Sequence, residues 1–421
     1  MSVLTEPGVP AVPAPVRALA RRSLLSRVLI LLALGIVALS VVRVITGADS
    51  LTSAGTVGAA LGAAVPIGMA GLGGLWAERA GVVNIGLEGM MILGTFGAGW
   101  IGWNHGPWLG LLAAVLMGAV GGLVHAVATV TFGVDHIVSG VAINILALGV
   151  TQFMASQLLA GTPGGGSTQS PRIPPIGTIS VPGLSGLLDD VELKHWFLVS
   201  DLAGLVRGLT TEISWITVIA IGLVVLSWWV LWRTPFGLRL RSCGEEPYAA
   251  ESLGVNVYLH KYVAVMMSGA LAGVGGAFLA IVAGGIYREG QTAGRGYIGL
   301  AAMIFGNWRP GGLASGAALF GYTDALQLRS TEGVHALLLV VAVALVGLAV
   351  FSAVRRRWVS AVLSLLIAAG ALLWFLGTDV LPGEFTFMTP YVTTLLVLAL
   401  ASQSLRMPKA DGLIYRRGQS R

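Results

Sequence analysis

Charged side chains are scarce in this sequence. Only 10% of its 421 residues are Asp, Glu, Lys or Arg, against about 25% in an ordinary soluble domain. A water-soluble fold of this size needs a charged surface. A soluble enzyme, a disordered chain and a nucleic-acid-binding domain are therefore excluded. The net charge of +6 does not revive the last of these, because the cations sit at the ends of apolar runs, where they fix orientation in a membrane. Lysine occurs only at Lys194, Lys261 and Lys409, after Leu193, His260 and Pro408. No Gly-Lys-Ser/Thr phosphate loop exists, so ATP hydrolysis by that route is excluded. The single cysteine, Cys243, cannot form an intramolecular disulfide, and the fold does not depend on an oxidising compartment. The six histidines lack a His-x-x-x-His spacing, which argues against a metal site. No Gly-x-Ser-x-Gly elbow is present, which disfavours a membrane hydrolase. The apolar-polar alternation of a transmembrane β-barrel is missing too.

What is there is apolar: 55% of side chains are hydrophobic, and glycine supplies 60 residues. The runs are continuous, which predicts an all-α, polytopic transmembrane helical bundle. Residues 1–23 carry four prolines and three arginines and read as a disordered cytoplasmic tail. No small-x-small cleavage site follows the first apolar run. An uncleaved first span is the better reading than a signal peptide or a twin-arginine signal. Apolar segments lie at about 28–46, 57–76, 86–103, 107–131, 137–160, 213–232, 262–284, 297–306, 312–328, 335–352, 358–377 and 391–405. Residues 297–306 are too short for the ~20 needed to cross. They predict a broken or tilted helix buried among others. This gives about 10–12 spans, with a main transmembrane body over 24–352, two extra spans over 353–405 and a cytoplasmic tail over 406–421.

With the N-terminus inside, 18 of the 25 cations fall in inner segments. Arg43, Arg172, Lys194, Arg207, Arg288, Arg295 and Arg329 stay outside. That bias predicts both termini in the cytoplasm. A long external segment, 161–212, is rich in Gly, Pro and Ser, and an internal segment, 233–260, has mixed charge. An internal match supports an inverted repeat. Ile85, Gly86, Leu87 and Met90 align with Ile298, Gly299, Leu300 and Met303. With opposite directions of travel, that is a common transporter architecture.

Two stretches could carry chemistry. In AERAGVVNIGLEGMM, from Ala77, Glu78 and Arg79 end a full span, and they can pair to pin a helix turn. Glu88 lies about 10 Å deeper if helical. Asn84, four residues earlier, would share its helix face. A carboxylate at that depth faces the bundle interior or a wet cavity, so it lines a pathway or serves in a structural ion pair. In the internal segment, Pro247 can open a short helix and Gly254 can stop it, with Glu245 and Glu246 at its positive end. Such a helix suits a docking peg for a soluble partner.

Three stretches carry a family resemblance. They are AERAGVVNIGLEGMMILGTFGAG from Ala77, PFGLRLRSCGEEPYAAESLGVNVYLHKYVAVMMSGALAGVGGAFLA from Pro235, and GRGYIGLAAMIFGNWRPGGLASGAALFG from Gly294. Together they resemble the permease subunits of bacterial ATP-binding-cassette importers in the branched-chain amino acid, ribose and nucleoside group. The nucleoside type is the nearest. Ala249, Ala250 and Gly254 fit the group's Ala-Ala-x-x-x-Gly signature, while Tyr248 stands where Glu is usual. The resemblance spans about 50–350 and implies a multi-pass protein of the bacterial inner membrane. Its partners would be separate ATP-binding cassette subunits holding ATP and Mg, a sister permease (a heterodimer rather than a homodimer), an extracytoplasmic substrate-binding lipoprotein and membrane lipid. No cofactor is expected on this chain, nor is enzyme activity. The coupling residues would be Arg241, Glu245, Glu246, Ala249, Ala250 and Gly254. The pathway residues would be Asn84, Glu88, Tyr297, Asn307 and Trp308. The expected solute is a nucleoside, with a simple sugar second. The competing reading is an ion-gradient-driven secondary transporter, for which Glu88 and Asp324 are the candidate ion ligands.

Overall fold

A computed structural model describes residues 30, 33–401 and 405–418. The proline-rich tail at 1–23 lies outside the described residues. The helices, in chain order, are α1 (Ala33–Thr46), α2 (Ala54–Arg79), α3 (Leu87–His105), α4 (Pro107–Ala126), α5 (His136–Leu158), α6 (Leu184–Glu192), α7 (Val199–Thr210) and α8 (Trp215–Arg233). They continue as α9 (Pro235–Glu245), α10 (Pro247–Ser252), α11 (Val257–Ala277), α12 (Arg295–Phe305), α13 (Pro310–Arg329), α14 (Thr331–Val354), α15 (Trp358–Gly377) and α16 (Gly383–Ala401). Among the described residues the only sheet pairs β1 (Thr178–Ile179) with β2 (Ile213–Ser214), antiparallel. The chain is a polytopic helical bundle.

Among the described residues, each apolar segment of the sequence falls on a helix. Seven described helices (α2, α4, α5, α8, α11, α14 and α15) are long and apolar enough to cross a membrane by length and composition. α3, α13 and α16 have the length but carry more glycine or polar residues, while α1 and α12 are short. The matched segments 85–92 and 298–305 adopt unlike local structure. Ile85 and Gly86 form a turn before α3, whereas Ile298 and Gly299 sit inside α12. This geometry does not establish an inverted repeat.

The centre is α2 with α11, packed against α4, α3, α12 and α13. α2 starts because the Ser53 side chain accepts the Thr56 N–H at 3.3 Å. It stops at Gly81, whose φ of +80° is left-handed and so favours glycine. Glycine also sets how closely these helices approach. On α4, Ala114, Gly118 and Gly122 recur every fourth residue, and Val265, Gly269 and Gly273 do so on α11. A Cβ on Gly269 would collide with the carbonyl oxygen of Gly118, and a Cβ on Gly273 with that of Ala114. The backbones therefore touch directly, as small-residue repeats allow in membranes. α2 meets α12 in the same way: a Cβ on Gly299 would stand 2.7 Å from the carbonyl oxygen of Ile67.

The long segment 161–212 contains a folded cap. α6 and α7 pack on each other, and α7 packs on the start of α2. Asp201 is its hub: it takes Arg43 at 2.8 Å and the Thr52 hydroxyl at 2.5 Å. Glu192 accepts the Ala54 N–H at 2.9 Å and pairs with Arg207 at 3.0 Å.

The seam makes a prediction. Gly269→Val should destabilise the purified chain by about 2–3 kcal/mol through overpacking against a backbone that cannot yield. Gly149→Ala, where nothing lies within 4 Å of the new Cβ, should leave thermal unfolding unchanged. Equal melting curves for the two variants would refute the seam.

Candidate functional site

Two polar groupings lie on this scaffold. The first is inside the bundle. Asn84 is completely buried. Its amide donates to the Ser268 hydroxyl at 2.8 Å, and its oxygen accepts the Gly86 N–H at 3.0 Å. That local bond competes with helix formation, so α3 begins only at Leu87. Asn84 therefore sits in the turn before α3 rather than one helical turn from Glu88. Glu88 is also buried. Its carboxylate accepts the Gly294 N–H at 2.9 Å and the Gly296 N–H at 2.7 Å, at the positive end of α12. Among the described residues it makes no ion pair.

Asn144, on α5, ties this grouping together and was not singled out from sequence. It accepts the Gly89 N–H at 2.7 Å and donates to the Ile85 carbonyl at 3.1 Å and the Tyr297 hydroxyl at 2.9 Å. Tyr297 is half exposed, at 47%. It is thus the open member of a set otherwise turned inward. Asp324, four turns into α13, is held by Arg295 at 2.8 Å and by Gln327 at 2.7 Å.

The second grouping is at the C-terminal end of α2. Glu78 and Arg79 do not form a direct pair among the described ion pairs; they meet through Trp308. The Trp308 indole N–H donates to Glu78 at 2.5 Å, and the Arg79 guanidinium donates to the Trp308 carbonyl at 2.7 and 3.0 Å. Asn307 and Trp308 both adopt left-handed backbone, with φ of +55° and +52°. That conformation is unfavourable for side-chain-bearing residues, and this double grip holds it. The turn between α12 and α13 is thereby fixed to α2.

The segment 233–260 rests on this junction. Thr234 caps α9 by accepting the Gly237 N–H at 3.2 Å, and Pro235 fills its first position. This helix went unnoticed in sequence, although Thr-Pro is its start signal. Arg241 donates to the Leu231 carbonyl at 2.9 Å and stacks on Trp232. Glu245 approaches Arg79 at 4.0 Å. Pro247 opens α10, and Gly254 follows it with a φ of +82°. Ala250 is buried against the body, whereas Glu246, Ala249 and Gly254 face outward. Leu253 is 84% exposed at the tip. Cys243 is buried on α9, and burial pushes its thiol up to about 11, so it is not a reactive group at neutral pH.

The tail after α16 is not loose. Residues 405–418 form a strap across this face. The Ala410 N–H donates to the Gly244 carbonyl at 2.9 Å, and the Arg406 N–H to Asn307 at 2.7 Å. Tyr415 packs between Tyr248 and Tyr258, at 5.3 and 5.5 Å between centroids. Arg417 pairs with Glu251 at 3.2 Å. Asp411 is buried close to Glu78, and burial pushes its carboxyl up to about 7, while contacts to Glu78, Lys261 and Arg79 pull the other way.

Comparison with known proteins decides the family. Residues 56–350 match the family described as branched-chain amino acid transport system / permease component. The chain belongs to this permease family. It is 34% identical to the guanosine ABC transporter permease protein NupQ of Bacillus subtilis, over 85% of this chain and 94% of the relative. It is 35% identical to the nucleoside ABC transporter permease protein NupC of Lactococcus lactis, over 83% and 93%. A putative glucose ABC transporter permease of Haloferax volcanii is 33% identical, over 66% and 78%. No solved structure matches the chain. The permease match takes in both polar groupings and α9–α11, but not α15, α16 or the strap.

The raised Asp411 carboxyl has a consequence for stability. The folded state holds this proton more tightly than the unfolded chain, whose carboxyl titrates near 3.9. Asp411 therefore contributes stability at low pH that is lost as pH rises through about 4 to about 7. Asp411→Asn should gain thermal stability relative to the native chain as pH rises across that window. A difference that stays constant between pH 4 and 8 would contradict it.

Proposed function

We propose that this permease is the translocating subunit of an ATP-driven nucleoside importer in a bacterial inner membrane, with both termini cytoplasmic. The observation that carries the reading is the pair of relatives named for guanosine and for nucleosides, each matched over more than nine-tenths of its own length. A glucose-named relative makes a simple sugar the second candidate. ATP and Mg belong to separate ATP-binding cassette subunits, since this chain carries no phosphate loop. A sister permease completes the pathway. Two different Bacillus relatives, 34% and 24% identical, are both named for guanosine, which favours a heterodimer. An extracytoplasmic lipoprotein delivers the solute to the α6–α7 cap.

The roles follow the two groupings. Tyr297 lines the pathway, while Asn84 and Glu88 hold the helix ends that shape it. Asn307 and Trp308 form its inner end, tied to α2 by Glu78 and Arg79. Arg241, Glu245, Glu246, Ala249, Ala250 and Gly254 build the coupling face with α10 at its tip. An ion-gradient mechanism would need Glu88 or Asp324 to bind the coupling ion. Both already have partners: two backbone N–H groups for Glu88, Arg295 and Gln327 for Asp324.

Reconstitution tests this. Vesicles holding the chain with its ATPase subunits, sister permease and lipoprotein should accumulate a labelled nucleoside only when ATP and the lipoprotein are both present. Accumulation by the chain alone under a proton or sodium gradient would overturn the importer reading. ATP-driven uptake of glucose in place of nucleoside would overturn only the substrate.

A second test targets coupling. Leu253→Asp removes an exposed side chain and so no packing. It should cut uptake at least about tenfold, the equivalent of about 1.4 kcal/mol at the contact, with the melting temperature unchanged. Normal uptake in that variant would remove α10 from the coupling face.

A further inference from the structure

Two cavities share Arg309, at the start of α13. One is a slot of about 590 Å³ between α8 and the start of α13. Its α8 wall is Val224, Val225, Trp228 and Trp232, and its other wall is Pro310, Gly311 and Gly312. The second is a pocket of about 390 Å³ with four cations, Arg79, Arg309, Arg406 and Lys409, against one carboxylate, Glu245. Arg309 lines both cavities. Trp232 joins them again, because the Arg79 guanidinium lies 5.5 Å from its ring centroid. Among the described residues, no carboxylate or hydrogen bond engages the side chains of Arg309, Arg406 or Lys409. α13 starts without a side-chain cap, so its positive end adds to the field.

We propose that this paired cavity binds an anionic phospholipid, with the phosphate in the cationic pocket and an acyl chain in the Val-Trp slot. Three exposed cations without a side-chain partner, Arg309, Arg406 and Lys409, on one pocket suit an anion. The slot decides which one. It opens along a membrane-length apolar helix, at the level where Arg233 lies 5.3 Å from the ring centroid of Trp228, a tryptophan-cation belt of the kind found at membrane interfaces. A soluble phosphate would leave the slot empty, and so would an acidic protein that engaged only the cationic pocket. The strap supplies two of the four cations, Arg406 and Lys409, so the site is complete only with residues beyond the matched permease region. On the orientation proposed above, it faces the leaflet that carries anionic lipid. The assignment itself does not depend on the solute or on ATP.

Native mass spectrometry of the purified full chain tests it. The chain should retain phosphatidylglycerol in preference to phosphatidylcholine. The double variant Arg309→Gln, Lys409→Gln should lose about 25-fold of that preference, about fivefold for each cation removed. Arg355→Gln, a cation at the end of α14 that lines neither cavity, should keep it. Trp228→Ala should weaken retention of both lipids by opening the slot. Matched melting curves establish that each variant is folded. An unchanged preference in the double variant, or an equal loss in the Arg355 variant, would overturn the site. Displacement of phosphatidylglycerol by millimolar inorganic phosphate would overturn the lipid assignment. So would absence of lipid retention combined with salt-sensitive binding of ATPase subunits that the double variant loses.

Discussion

Lipid is as apolar as the interior of the bundle, so burying hydrophobic side chains cannot by itself hold these helices together. Direct backbone contact replaces that force here. Glycines on α4, α11, α2 and α12 bring main chains so close that a single methyl group would collide. The rest depends on that proximity. Only helices this close can place an Asn144 side chain within reach of a neighbouring turn, a helix end and a tyrosine together. The same proximity lets the carboxylate of Glu88 reach two N–H groups of another helix.

Short and broken helices create the polar work that these side chains do. Every helix end leaves unpaired backbone groups, and inside a membrane they cannot turn to water. α3 and α12 begin inside the bundle. Their ends are satisfied by Asn84, Asn144 and Glu88. The turn after α12 is satisfied by Arg79, which takes the Trp308 carbonyl. A transport subunit needs this kind of junction. It is anchored at defined points, and each anchor is a small set of bonds that a moving neighbour can strain. The two-sided grip on Trp308 also links the α12–α13 turn to α9 and the strap.

Much of the helix layout was legible from apolar run lengths, because an apolar run of that length has few alternatives in a membrane. The short α10 was legible for a different reason: Pro247 and Gly254 are punctuation with fixed backbone meaning. Pairings across the chain were not legible. Asp201 with Arg43, 158 residues apart, and Asn144 with Tyr297, 153 apart, leave no local trace. Asn84 and Glu88 looked like one helix face by their spacing. A single side-chain bond to the Gly86 N–H moved the helix start past Asn84. The folded cap at 161–212 was hidden by its glycine and proline content, since the charged side-chain contacts that tie it to α1 and α2 join residues far apart in the chain.

One composition rule, cations gathered at the ends of apolar runs, covers at least three physical roles here. Orientation needs only that the charges lie on one side, as with Arg355 at the end of α14. Anchoring needs a partner, as Arg79 has in the Trp308 carbonyl and Arg241 in that of Leu231. Arg309, Arg406 and Lys409 lie on that side too but have no such partner, and they line one pocket with a single carboxylate among them. Like charges facing one pocket repel less when an anion sits between them. Counting cations per side cannot separate these roles, because the sign is the same in all three. Only the third role requires something outside the chain.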